Sequence, residues 1–264
     1  MRYNTQMNDM IIYNKPVGMT PLEVIQKLKS SYSELEDIPI TYAGRLDPMA
    51  EGLLLLLVGD AVHRKDEFLK LNKTYEATIL FGISTDSQDI LGIPTFHENS
   101  FNISQNFSVE SAQQIADNLT GEVTLTLPAF SSPEVNGKPL WHWAKENLLH
   151  SIEIPTKTTT IYDFNVATLE EKSWSDIYEY VFLSQAKVSG DFRQTEIANA
   201  WASLSSKCEA SKNFKLITAT INCSSGTYIR SLAQELGKQL GSKAMLLKLK
   251  RTKIGDFELP KSLD

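Results

Sequence analysis

The sequence has too few cysteines and histidines for the chemistry that these residues usually carry. Among 264 residues there are two cysteines, Cys208 and Cys223, and four histidines, which share no paired metal-ligand spacing with them. Neither a disulfide framework nor a zinc site is supported, so we expect no metal and a cytoplasmic location.

Long apolar runs are missing as well. The longest, Leu53–Val58, is far shorter than the roughly 20 residues that cross a bilayer. The first residues, Met1–Met10, are polar and contain no apolar core of a signal peptide. We therefore expect neither a membrane span nor a membrane partner.

Positive charge is scarce overall, since the formal net charge is −6, but it is unevenly distributed. Residues 97–200 carry 14 acidic and 6 basic residues, whereas residues 207–253 carry 10 basic residues and 2 acidic ones. A local excess of +8 within an acidic protein can bind phosphates, although a solvated lysine-rich face is an equal alternative. Three residues near its end, Lys248, Lys250 and Arg251, are the candidate contacts to the phosphate backbone of a nucleic acid.

The periodicity of apolar residues predicts a mixed fold. Alternation predicts strands at 10–14, 73–81, 158–167, 176–188, 216–222, 245–251 and 253–257. Capping residues and apolar stripes predict helices at 108–119, 140–148, 195–204 and 227–240, and one that begins at Thr20 with Leu22, Ile25 and Leu28 facing inward. Because no βαβ rhythm is present, we expect an α+β fold around a mainly antiparallel, mixed sheet, with helices and loops around a central cleft.

One aspartate stands where a reactive carboxylate would be placed. Asp47 lies between Leu46 and Pro48, just before the apolar run Leu53–Val58. Such a run indicates a buried strand, which would hold the preceding loop rigidly, as catalytic loops require. An ordinary Asp-Pro turn before a core strand explains the same segment.

Four segments are unusual for a scaffold: NKPVGMT at 14–20, GRLDPMAEG at 44–52, KTYEA at 73–77 with GISTDSQDILG at 82–92, and CSSGTYIRSL at 223–232. Together with PAFSSPEVNGK at 128–138, they resemble the TruB-type tRNA pseudouridine synthases, which have the same motifs in the same order. The resemblance covers about residues 10–257 and implies the pseudouridine synthase fold. It implies an isomerase without a cofactor, acting on uridine 55 in the T loop of tRNA.

The resemblance also implies roles for single residues. Asp47 matches the catalytic aspartate, Arg230 its ion-pair partner and Tyr75 the aromatic ring that packs on the flipped base. Lys15 and Leu249 match positions that line the substrate pocket. The partner is then tRNA, bound through its T stem-loop by a monomer.

This sequence departs from the family in several places. Tyr42 replaces a histidine that stacks on RNA near the flipped base, and Arg45 replaces a small residue. The segment at about 170–213 is longer than usual and is expected to cap the sheet or to contact RNA. The chain is expected to be a single catalytic domain without the C-terminal PUA domain of many members, because it stops soon after Phe257.

Two other interpretations remain open. Gly-Arg-Leu-Asp is also similar to the ribosomal RNA pseudouridine synthases of the RsuA and RluA type, although the Gly-Thr-Tyr-Ile-Arg segment counts against them. A non-catalytic RNA-binding or RNA-folding module on the same fold is the third possibility. The intact set of Asp47, Tyr75 and Arg230 counts against that one.

Overall fold

The structure, a computed structural model, describes residues 9–97 and 107–259. Its strands are β1 (Met10–Lys15), β2 (Ile40–Tyr42), β3 (Ala50–Val58), β4 (Lys73–Phe81), β5 (Ile83–Thr85), β6 (Pro94–Phe96), β7 (Gly121–Thr126), β8 (Glu134–Val135), β9 (Lys138–Pro139), β10 (Thr156–Ser173), β11 (Asn213–Cys223), β12 (Ala244–Ile254) and β13 (Phe257–Glu258). Its α-helices are α1 (Pro21–Ser31), α2 (Lys65–Leu69), α3 (Val109–Asn118), α4 (Leu140–Lys145), α5 (Trp174–Gln185), α6 (Gln194–Ser205) and α7 (Ile229–Gln239). Short 3-10 turns lie at Ser33–Leu35, Gly59–Arg64 and Leu149–Ser151.

One sheet organises the molecule, with the strand order β1-β3-β12-β4-β11-β10-β7. Its neighbours pair antiparallel except for β3 and β12, which run parallel. Because Ala50, the first residue of β3, pairs with Leu249 in the middle of β12, the loop before β3 stands over the centre of the sheet. The predicted mixed, mainly antiparallel α+β fold is confirmed.

The first face of the sheet is covered by α3 and α7. Alternate residues of β4, namely Tyr75, Ala77, Ile79 and Phe81, join the core on this side, as the alternation predicts. Residues Leu232 and Leu236 of α7 are fully buried in the same core. Since α7 packs here, it carries its first turn, and with it Arg230, to the centre of the sheet.

The second face of the sheet is covered by the segment that follows β10. The strand predicted at 176–188 is wrong, because a helix, α5, occupies Trp174–Gln185. Helix α5 begins at its cap Ser173 and buries Trp174, Ile177 and Val181, which follow the helical period. With α6, which confirms the predicted helix 195–204, it caps the sheet through an aromatic cluster that includes Trp201.

Local signals at the start of α1 are confirmed, with one error. The side chain of Thr20 accepts from the backbone of Glu23, and Glu23 accepts from Thr20 in return, forming a capping box. Leu22, predicted to face inward, is 58% exposed, and Val24 takes its place in the core. The two strands predicted at 245–251 and 253–257 form one continuous strand, β12, followed by the two-residue β13.

Candidate active site

Two backbone hydrogen bonds fix the conformation of the loop 44–49. The amide of Ala50 donates to the carbonyl of Asp47 at 3.0 Å, and the amide of Gly18 donates to the carbonyl of Pro48 at 2.8 Å. Gly52 has a φ of +103°, and a Cβ there would lie 2.3 Å from the carbonyl oxygen of Arg251. Glycine is therefore required at position 52, where β3, the strand that follows Asp47, pairs with β12.

Arg251 fixes the same loop from inside and is not available to RNA. Its side chain is buried, the residue being 1% exposed, and its guanidinium donates to three carbonyls: Leu53 at 2.8 Å, Arg45 at 3.1 Å and Gly44 at 3.3 Å. The prediction that Arg251 contacts the RNA backbone is wrong. Its fork of donors satisfies backbone acceptors that burial would otherwise leave unpaired.

Lys15 is also an internal residue. It is 0% exposed, and its ammonium donates to the carbonyls of Met19 at 2.7 Å, Pro16 at 2.9 Å and Pro48 at 3.4 Å. Burial lowers the pKa of Lys15 to about 8, although the charge of Asp47 acts in the opposite direction. The geometry does not support the predicted direct contact with substrate, because Lys15 braces the loop from the side away from solvent.

Arg230 reaches Asp47 as predicted. Its Nε lies 2.8 Å from Oδ2 of Asp47, and the side chains are 5% and 39% exposed, respectively. Its Nη1 donates to the carbonyl of Ser87 at 2.8 Å and its Nη2 to the carbonyl of Phe130 at 3.2 Å. Burial works against the charge of Arg230, but Asp47 and Asp89 outweigh it and raise the pKa of the guanidinium. A buried, fixed cation thus faces a carboxylate that remains open to solvent.

Asp89 is a member of the site that sequence reasoning missed. An aspartate in a turn commonly caps a backbone amide, and Oδ1 of Asp89 accepts from the amide of Leu91 at 2.9 Å. The other oxygen, Oδ2, lies 3.8 Å from Nε of Arg230, and Asp89 lines the same cleft as Asp47. Burial raises the pKa of Asp89, Arg230 opposes this, and the nearby charge of Asp47 adds to it. The sequence signal that could have identified Asp89 is its position as the second aspartate of the segment 82–92.

The remaining predicted residues lie at different depths. Leu249 lines the cleft with Asp47, together with Met49 and Lys248. Tyr75 is 8% exposed and packs in the core of the first face, with Arg251 close enough to act on its hydroxyl. Burial raises the pKa of Tyr75, which keeps the hydroxyl protonated near neutral pH.

Tyr42 and Arg45, which depart from the family motif, lie just before the Asp47 loop and within it. Tyr42 ends β2 and is half-buried, with Nζ of Lys65 5.3 Å from the centroid of its ring. Arg45 is exposed, and its Nη1 donates to Oγ of Ser132 at 2.6 Å. Arg45 therefore connects the catalytic loop to the segment 128–133, on which Arg230 also depends.

The basic segment 207–253 does not form one exposed patch. Arg230 and Arg251 are buried, and Lys253 pairs with Glu258 at 2.7 Å. Lys248 is exposed beside the cleft, whereas Lys250 is only partly exposed. The excess of positive charge predicted from the sequence is therefore not one surface, and Lys248 is the basic residue of this segment that lines the cleft.

This arrangement suits catalysis by a carboxylate. An aspartate carboxylate can act as a nucleophile, and the paired guanidinium fixes its orientation. Within residues 9–97 and 107–259, no group of three or more His, Cys, Asp and Glu residues could hold a metal ion. In the same ranges, no helix combines the length and apolar character needed to cross a membrane.

A comparison with known families decides the class of protein. The model of the TruB family pseudouridylate synthases (N terminal domain) matches residues 35–186, more than half of the chain. The chain belongs to this family. The enzyme class predicted from the motifs, a pseudouridine synthase, is thereby confirmed.

Curated relatives and solved structures agree with this assignment. The tRNA pseudouridine synthase B of Caldicellulosiruptor saccharolyticus is 32% identical over 253 residues, or 96% of this chain and 69% of that protein. That of Lactobacillus johnsonii is 30% identical over 258 residues, or 98% of this chain and 72% of that protein. The crystal structure of a Cbf5–Nop10–Gar1 complex matches with a TM-score of 0.57 and 18% identity, over 96% of this chain and 50% of the matched chain. At that identity it shows the fold alone.

Proposed function

We propose that this protein converts uridine 55 in the T loop of tRNA to pseudouridine, with Asp47 as the reactive carboxylate. The observation that carries the proposal is the 2.8 Å ion pair between buried Arg230 and half-open Asp47, in the family motif and in a cleft at the centre of the sheet. The names of the curated relatives support tRNA as the substrate class.

The reaction balances within the substrate. The N1–C1′ bond breaks, the uracil turns, and a C5–C1′ bond forms. The proton on C5 is lost to a base and N1 gains a proton, so no redox step is needed. Asp47 can attack the sugar or the base and assist departure of the uracil. Tyr75, which matches the aromatic residue packed on the flipped base, is the candidate for assisting the transfer of the C5 proton.

The flipped base would lie against Leu249 in the cleft. A uridine inside folded RNA must leave its stack to be reached, which an enzyme compensates by stacking and apolar contact. Tyr42, half-buried beside the catalytic loop, is the candidate stacking residue on the RNA, and such contacts contribute roughly 1–3 kcal/mol. We propose that the protein acts as a monomer and binds tRNA through the T stem-loop alone.

The proposal is tested by measuring release of tritium from tRNA labelled at C5 of uridine. Wild-type protein should release one equivalent per tRNA, and Asp47→Asn should release none while binding tRNA with unchanged affinity. The amide is nearly isosteric with the carboxylate but is not a nucleophile. Turnover of Asp47→Asn within tenfold of wild type would remove Asp47 from this role.

The substrate is tested in the same assay under single-turnover conditions. Full tRNA, an isolated T stem-loop and ribosomal RNA fragments are compared, with chemical mapping of the modified position. We expect the stem-loop to be modified at uridine 55, and Tyr42→Ala to weaken its binding about tenfold to a hundredfold. Modification of ribosomal RNA alone would favour the RsuA and RluA type of specificity.

A further inference from the structure

The loop between α5 and α6, residues 186–193, contacts several elements around the cleft. Ser189 donates to the carboxylate of Glu23 at the start of α1, and Asp191 pairs with Lys145 of α4 at 2.7 Å. At Gly18 a Cβ would lie 2.5 Å from the carbonyl oxygen of Lys187, so the two backbones are in close contact. This part of the longer segment 170–213 therefore lies next to the catalytic machinery, whereas α5 and α6 cover the sheet.

Arg193 makes the contacts of this loop nearest to Arg230. Its Nη1 donates to Oδ2 of Asp86 at 2.9 Å, and its Cζ lies 4.1 Å from the centroid of the Phe130 ring. The side chain is 17% exposed. Its backbone has φ 60° and ψ 29°, a left-handed conformation that residues other than glycine rarely adopt. Arg193 thus holds its guanidinium against two partners from a strained backbone conformation, and such strain is concentrated at functional positions.

Both partners of Arg193 belong to the two segments that orient Arg230. Oδ1 of Asp86 accepts from the amide of Ile93 at 2.9 Å and so closes the turn 86–93. The next residue, Ser87, supplies the carbonyl that binds Nη1 of Arg230. Phe130 supplies the carbonyl that binds Nη2. Arg193 thus contacts both segments whose carbonyls accept from Nη1 and Nη2 of Arg230.

We infer that Arg193 is a positioning residue for the Asp47–Arg230 pair, acting through the turn at Asp86 and through Phe130. The inference rests on the proposed function, since it gives the segment 170–213 a part in that reaction. If either acceptor moves, the guanidinium of Arg230 turns and its Nε leaves the carboxylate. The contacts of Arg193 are to Asp86 and Phe130 and not to Asp47, so we expect its loss to act on the chemical step and not on binding.

The test compares turnover and tRNA affinity in a set of variants. Arg193→Ala should lower the single-turnover rate roughly tenfold to a hundredfold, because small displacements of reacting groups have effects of this size. Its tRNA Kd should stay within twofold of wild type. Arg193→Lys restores the charge beside Asp86 without the planar stacking on Phe130, and should recover part of the rate. Combined with Arg230→Lys, Arg193→Ala should add little further loss.

Two controls separate positioning from stability. Arg193→Gly removes the guanidinium but relieves the left-handed backbone, so it should stay as slow as Arg193→Ala with a melting temperature at or above that of Arg193→Ala. Arg64→Ala removes a matched arginine, which pairs with Glu67 at 2.9 Å and lies 5.5 Å from the ring of Phe68, and should leave the rate unchanged. A wild-type rate in Arg193→Gly would overturn the inference.

A readout without substrate keeps this inference separate from the proposed function. The Nε–H resonance of Arg230, identified by its loss in Arg230→Lys, should shift in Arg193→Ala and not in Arg64→Ala. Wild-type protein that fails to modify any tRNA would contradict the proposed function while leaving this measurement intact. An Arg230 resonance that does not move in Arg193→Ala would contradict the positioning role, whatever the substrate.

Discussion

Two arginines of the same basic segment contact the Asp47 loop in different ways. Arg230, on α7, is buried and directs its Nε to the carboxylate of Asp47. Arg251, on β12, is buried as well and directs its nitrogens to the carbonyls of residues 44, 45 and 53. Arg230 orients the carboxylate of Asp47, and Arg251 holds the backbone that carries it. Positive charge near an active site therefore has no single meaning, since the acceptor decides the role.

The largest effect is expected at Arg230. Arg230→Ala should lower single-turnover modification by at least roughly a hundredfold to a thousandfold, as when a fixed electrostatic partner of a reacting group is removed. Arg230→Lys should recover only part of this, because a point charge cannot pair with Asp47 and also bind both carbonyls. The measurement is the single-turnover rate, with the enzyme in excess of the tRNA and at a concentration above the Kd.

Folding must be controlled at this position. Removing the guanidinium leaves the carbonyls of Ser87 and Phe130 without their donor and lowers stability, so the unfolding of each variant by urea is followed alongside its rate. Arg230→Met keeps most of the volume and serves as the matched variant without charge. If Arg230→Met is folded and as active as wild type, the ion pair has no role in catalysis.

Arg251 should show the opposite balance between stability and chemistry. Arg251→Met should lower the free energy of unfolding by about 2–4 kcal/mol, because one buried and two partly buried carbonyls lose their donor. The salt dependence of tRNA binding should not change, since the guanidinium is not exposed. A reduced salt slope with unchanged stability would restore Arg251 as a phosphate contact and remove the distinction between the two arginines.

How far the sequence predicts this site is visible in these residues. The motif order predicts that Asp47 and Arg230 meet, because each lies in a short, specific segment with a fixed place in the fold. The depth of Lys15 and Arg251 could not be predicted, because burial depends on which strands pair. The parallel pairing of β3 with β12 is a long-range contact that local periodicity does not contain.

The omission of Arg193 has the same cause, whereas the error in α5 does not. The cap Ser173 and the helical spacing of Trp174, Ile177 and Val181 are local signals of a helix, and the prediction of a strand at 176–188 overlooked them. Arg193 belongs to no motif, and its partners Asp86 and Phe130 are 107 and 63 positions away in the chain. Contacts of this kind are set by tertiary structure and leave no signature in a single sequence.

Lys15 gives a smaller effect that depends on pH. Its pKa is about 8 in the folded protein and 10.5 for an ordinary lysine, so between these values the unfolded chain binds more protons than the folded one. Stability must then rise with pH above about 8, by about 1 kcal/mol from pH 7.5 to 9 for this group. Lys73, whose pKa burial also lowers to about 8, acts in the same direction.

The check is the free energy of unfolding in urea at several pH values up to 9. Lys15→Met should be less stable at every pH and should lose about half of the rise, and Lys15→Met with Lys73→Met should lose nearly all of it. The range stops at pH 9 because Cys223, whose pKa burial raises to about 11, then acts in the opposite direction. An undiminished rise in the double variant would show that neither ammonium is the source.

The smallest expected effect distinguishes two lysines of β12 that differ in their neighbours. Lys248 is exposed beside the cleft, with its Nζ 4.4 Å from the centroid of the Tyr180 ring. Lys250 is opposite Glu51 on one side and Glu76 on the other, so its charge is locally compensated. Lys248→Gln should therefore lower the slope of log Kd against log salt by about 0.7–0.9, the value for one lost phosphate contact. Lys250→Gln, the matched control on the same strand, should leave the slope unchanged. Equal changes in both variants would mean that the RNA displaces the two glutamates, and no change in either would place the phosphate contacts outside β12.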